Sequence, residues 1–367
     1  MRTHSIGEAT MIEYPDLISF CFNHTVINIY GEEWSYVECV VTDTVDNTSH
    51  TEKREFFKTS VFFDISTYMQ ASFDMVNENK VDYSQSGAFD SKLGRLFSVE
   101  LNLYKEGQEQ LGNSFFFNTF AMWGAMRVGE RYNGNRTLTW FKSYPFSVGL
   151  YSAAPGAIKV TADNIALPDV DIPSQNVWNV ILKKDIDATD RVELYLPGNS
   201  DTTSVFDYTF DFTFRGLANT STKVICLIDD CTSGVYLRWI NRHGFYCYWL
   251  FQYGEEARQV INDGEFIRNN MADYSFINGY HGGTGRKQRK TESDTLPVCA
   301  PLVDSDTYDF LFEIATSPVV DMYAGNIDGV DRWKGVNVSV DKFIKTKASL
   351  QDFVCTIILP ELNLQSL

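Results

Sequence analysis

The residues able to do chemistry are few. There are five histidines, His4, His24, His50, His243 and His281, and none stands in a ligand spacing with another histidine or a cysteine. Cys231 and His243, twelve apart, could form a thiol and base, but without a flanking nucleophile signature chance proximity is the better reading. Acidic residues gather at Asp169 and Asp171, at Asp185, Asp187 and Asp190, and at Asp229 and Asp230. The middle group lacks the glycine and terminal glutamate of an EF-hand loop. A glycosidase pair needs two carboxylates about 5–10 Å apart. With 48 acidic residues such pairs arise by chance, so solvated surface is the expectation. Glycines 279, 282, 283 and 285 precede Arg286, Lys287, Arg289 and Lys290, as in an anion cradle, but the spacing fails the Walker pattern. The expectation is a surface loop whose basic tip meets an acidic patch, and on a chain of net charge −17 that patch could lie on a second copy. No catalytic, metal or cofactor residues are assigned, and the chain is not expected to be an enzyme.

Composition narrows the class further. The 367 residues allow two or three domains with ample cores. A charged fraction of 22% and an apolar one of 44% are ordinary for a folded protein, whereas 27 Phe, 19 Tyr and 7 Trp favour strands and large contact surfaces. The acidic balance argues against nucleic acid as a partner, because phosphate contact needs a basic face. No signal peptide is visible and no apolar run approaches the ~20 residues needed to span a bilayer, so synthesis in the cytoplasm of whatever cell produces it, without membrane insertion, is expected. The seven cysteines, odd in number and mostly inside apolar runs, read as free core thiols.

The elements are mostly strands. Alternating apolar residues predict strands over 17–22, 25–30, 34–42, 55–63, 97–103 and 206–214, and a strand apolar on both faces over 114–128. Helices are expected at 66–75, capped by Ser66, and at 305–315, capped by Asp304 or Ser305. Residues 151–204, with Pro155, Gly156, Pro168 and Pro173, read as a linker or arm with short strands between an N-terminal β domain, 1–150, and a C-terminal one, 205–367. The expected fold is mainly β: two antiparallel β-sandwich-like or split-barrel modules with few short helices. Trp34 and Trp333, with polar neighbours, are the candidates for exposed rings.

The organising stretch is a hairpin at 234–252, with strands at 235–240 and 245–251 and a Gly244-ended turn. Both of its faces are bulky, so cover on both sides is expected. Arg238, a cation among rings, should pair with a carboxylate or stack on a Tyr or Trp face. Tyr236, Arg238, Trp239, Tyr246, Tyr248 and Trp249, with the four basic loop residues, form the candidate assembly interface.

The string Tyr236-Leu-Arg-Trp-Ile-Asn-Arg-His-Gly-Phe-Tyr-Cys-Tyr-Trp-Leu-Phe251 resembles a "YLRWLN..GG..YWLF" hairpin of virion proteins from tailed phages and prophages of Bacteroides-like bacteria. Trp123-Gly-Ala-Met-Arg-Val-Gly-Glu130, the 141–146 stretch and Ser317-Pro-Val-Val-Asp-Met-Tyr323 are similar to parts of the same group. The likeness touches residues 110–150 and 225–360. It implies a structural component of the virion tail or baseplate, a ring-type subunit contacting its own copies and other virion proteins. The rival reading is a carbohydrate- or receptor-binding β-sandwich, with a host surface glycan as partner.

Overall fold

The computed structural model describes residues 1–73, 81–105, 107, 111–182, 186–198, 206–207, 221–254, 257–266, 274–277, 279–280, 286–339, 345–359 and 362–366. The fold is mainly β, with 57% of residues in strands, as the alternating patterns predict. The chain divides into two units. The first comprises Met1–Thr232, Trp239–Tyr248 and Ile327–Asp331, and the second Ser233–Arg238, Trp249–Asn326 and Arg332–Leu367.

The first unit opens with a sandwich. One antiparallel sheet holds, in order, Arg2–Ile6, Thr10–Tyr14, Val26–Tyr30 and Ser60–Asp64. The other holds Ile18–Phe20, Leu111–Met122, Gly94–Tyr104, Tyr36–Asp43 and Thr48–Glu55. Alternation puts Ile12, Ile27, Ile29 and Phe63 of the first sheet in one core with Val37, Val41, Val99 and Leu101 of the second. Helix Ser66–Ala71 adds Met69 to that core. Ser66 is the first helical residue rather than the cap: Ile65 holds the N-cap position without a side-chain cap, and the Ser66 amide donates to Asp64 Oδ1 at 3.1 Å. Trp34 is buried, its Nε1 donating to Thr10 Oγ1 at 2.7 Å, so the expected exposed ring is a core ring. The strand Leu111–Met122 is apolar on both faces only in its second half, and Phe116 stays exposed.

Residues 151–204 are no linker. They contribute Gly156–Ala162, Ile165–Ala166, Val170–Ile172, Asn176–Ile181 and Arg191–Leu196, which share two further sheets of the first unit with Arg136–Phe141, Thr222–Asp229, Ser147–Ser152 and Gly87–Asp90. The prolines fall between these strands, where they punctuate turns rather than spacers. Two of the pairings are parallel: Arg136–Phe141 runs parallel to Thr222–Asp229, and Ile18–Phe20 parallel to Leu111–Met122.

The second unit is built on a nine-stranded sheet that includes Val235–Ile240 and Tyr246–Tyr253 as neighbours, flanked by Val320–Ile327 and the long Arg286–Val303. Helix Ser305–Phe312 is capped by Asp304, which accepts from the Thr307 amide at 2.7 Å. Tyr308 meets Phe353 edge-on, and Phe310 meets Trp249. The alternating 206–214 stretch lies outside the described residues apart from Phe206–Asp207.

Candidate functional site

Two places gather the groups singled out by sequence, and a third is a cavity. The first is the hairpin tip. Asn241 closes the turn: its amide donates to the Phe245 carbonyl at 2.8 Å, and its Oδ1 accepts from the amides of His243 and Phe245. Gly244 takes φ +80°, the left-handed conformation a side chain resists. Glu130, from the Trp123–Glu130 segment, then ties the tip down. Its carboxylate accepts two bonds from the Arg242 guanidinium, at 2.6 and 2.9 Å, and one from His243 Nε2 at 2.8 Å. The Arg127 amide adds a fourth at 2.9 Å. An ionised carboxylate only accepts, so Nε2 carries the imidazole proton. Desolvation by burial pushes the His243 pKa down to about 4 despite the hydrogen bond to Glu130, while Arg242 and Arg136 push the same way. The imidazole is therefore neutral at pH 7, and it stacks face to face on Tyr132 at 3.8 Å. Burial opposes ionisation of Glu130 but is outweighed by these donors, so its carboxyl titrates below the usual range.

The Cys231–His243 pairing is not made. His243 Nε2 is engaged by Glu130, and the Cys231 thiol is pushed up by its hydrogen bond to Asp229 and by that residue's charge. Five of the other cysteines are buried. Among the described residues no group of three or more His, Cys, Asp or Glu is gathered to hold a metal ion. No helix there is long and apolar enough to cross a membrane.

The second place is Arg238 in the second unit. Its Nε donates to Asp321 Oδ2 at 2.9 Å, and its guanidinium carbon lies 4.4 Å from the centre of the Trp333 ring. Both expected compensations are present together, with Tyr236 and Tyr323 packed about the same indole. Tyr236, Arg238, Trp239, Tyr246 and Tyr248 are all buried in the single chain, and Trp249 is half-buried. Area already covered in one copy is not available for a second to cover, so these are packing residues. That corrects the expectation of an assembly interface on the hairpin. The four cations do not sit in a surface loop either. Arg286, Lys287, Arg289 and Lys290 begin the strand Arg286–Val303, because Ala257–Phe266 offers it a partner ladder. The register sets Lys287 across from Glu265 and Arg289 across from Asp263, positions of opposite charge within the chain. His281 and the glycines at 282, 283 and 285 lie outside the described residues.

The third place escaped the sequence reading. A cavity of about 500 Å³ opens in the first unit between the turn at 83–86, the 140–146 segment and the end of Asn176–Ile181. Tyr83, Trp140, Tyr144 and Phe146 line it, with Ser84, Gln85 and Ser86 as its polar side. Trp140 and Phe146 lie nearly parallel, centroids 5.7 Å apart. The Tyr144 hydroxyl donates to the Thr232 carbonyl at 2.8 Å, and the Tyr83 and Tyr248 hydroxyls are 2.8 Å apart. Three segments distant in sequence form this lining, and no local motif announces such a juxtaposition.

No family model matches the chain, and no curated protein does. Among solved structures, one from work on host cell surface retention of a 1.5-MDa bacterial ice-binding adhesin aligns over 96% of this chain and 87% of that one. The identity is 6% and the TM-score 0.17, a likeness that carries no argument.

Proposed function

We propose that the chain is a non-enzymatic structural component of a phage virion, a tail ring or baseplate subunit that binds its own copies and adjoining virion proteins. Its aromatic hairpin is the internal keystone. The ionisable groups of that motif support this division of labour, because Arg238, Arg242 and His243 are each committed to a carboxylate in the same chain.

The observation that carries the reading concerns what is left outside. Phe62 is 56% exposed on Ser60–Asp64, the last strand of the described four-stranded sheet, and Phe57, in the turn before it, is 78% exposed. A sheet edge bearing exposed aromatic rings is a ready surface for another chain to extend or cover. Arg54 adds a guanidinium 5.0 Å from the Phe62 ring, and aromatic–arginine combinations are enriched at such interfaces. The experiment is substitution of both rings by serine, with the assembled mass as readout. Loss of self-association in a chain that melts as before supports the reading, and unchanged assembly refutes this edge as its surface.

A further inference from the structure

We infer that the cavity lined by Tyr83, Trp140, Tyr144 and Phe146 is a binding site for a neutral sugar. The inference rests on this cavity alone and not on the assembly reading above. Its volume, about 500 Å³, falls within the roughly 300–1,000 Å³ of small-ligand sites.

Charge selects the ligand class first. On a chain of net charge −17, no Asp, Glu, Lys, Arg or His is among the described lining residues. An acidic or basic ligand would enter without a counter-charge and lose its hydration, which a buried ion tolerates poorly. Aromatic rings against one side and hydroxyl and amide groups against the other fit a pyranose. Its C–H face is apolar, and its rim of hydroxyls both donates and accepts. Ser84, Gln85 and Ser86 supply both functions. Tyr83 and Tyr144 are only part-buried, and theirs are the rings a ligand can reach, because Trp140 and Phe146 are 1% and 4% exposed. The rings are also held in place before any ligand arrives, Tyr144 through Thr232 and Tyr83 through Tyr248, which lowers the ordering cost of binding.

The test is a glycan array of neutral and acidic oligosaccharides probed with the purified full chain, followed by calorimetry on any sugar bound. Two variants accompany it. Gln85→Ala changes an exposed polar side chain that bears no core packing, and Tyr144→Ala removes a ring; circular dichroism and melting establish that both are folded. The expected result is binding of at least one neutral sugar with preference over acidic ones, weakened about tenfold or more by Tyr144→Ala and severalfold by Gln85→Ala. Three results overturn it: no neutral sugar bound at millimolar concentration, a preference for acidic glycans, or a bound sugar whose affinity Gln85→Ala leaves untouched. If Tyr144→Ala fails to fold, the Gln85→Ala comparison decides alone.

Discussion

Glu130 carries more of the hairpin tip than any other single side chain, since it collects donors from Arg127, Arg242 and His243. Glu130→Ala leaves a buried imidazole and a half-buried guanidinium without their acceptor. Hydrogen bonds to charged groups are worth about 1.5–3 kcal/mol each, so a loss of roughly 2–4 kcal/mol in chemical denaturation is expected. The pH dependence follows from His243. Its pKa is about 4 folded against 6.5 as a model value, so the unfolded chain takes up the proton first. Stability contributed by the neutral ring is complete above pH 6.5 and falls as the pH drops toward 4, by up to about 3 kcal/mol at 1.36 kcal/mol per unit. His243→Gln should flatten the denaturation midpoint across that window, and an unchanged slope would mean the imidazole is not buried neutral. A second residue-scale prediction concerns Arg95, 4% exposed and bonded to Asp43 at 2.7 Å and to Asp46. Asp43→Ala strips a buried cation of one carboxylate and should cost about 3 kcal/mol or more, whereas replacing Arg95 and Asp43 together by apolar residues should cost less.

At the scale of the element, the hairpin was legible because its features are local: a Gly-ended turn, alternating aromatic runs and a lone cation that needed a partner. Arg238 met both expected partners, yet the carboxylate is Asp321 and the ring Trp333, over eighty residues away and invisible to spacing. The same limit explains the misread arm at 151–204. Prolines and glycines mark turns equally well in a spacer and between short paired strands, and only the partners, such as Asn176–Ile181 on Ser147–Ser152, decide. The basic run was misread for the complementary reason: its register on Ala257–Phe266 is a long-range property. The tip itself tolerates no bulk. A Cβ on Gly124 would lie 2.4 Å from the Arg242 carbonyl oxygen, a backbone atom that cannot swing aside. Gly124→Ala should therefore destabilise the first unit by about 2 kcal/mol or more and lower its melting temperature by several degrees.

For the whole molecule, the mainly-β class was readable from composition and alternation, whereas surface and core were partly exchanged. The richest aromatic motif, which looked like a contact face, is interior. Two of the exposed rings, Phe57 and Phe62, sit where one strand over 55–63 was expected, but a turn precedes Ser60–Asp64 and that strand lies at a sheet edge. Which strand ends a sheet depends on pairing between distant segments, so edge surfaces are the last thing a single sequence discloses. The central claim, that the hairpin packs inside while the Ser60–Asp64 edge assembles, is tested most directly by light scattering of the wild-type chain and of the Phe57→Ser, Phe62→Ser double variant across a concentration series. The account predicts that the wild-type mass rises from 41.8 kDa to a defined oligomer while the variant stays at the monomer mass. A wild-type mass of 41.8 kDa at every concentration, or an oligomer indifferent to both serines, contradicts it.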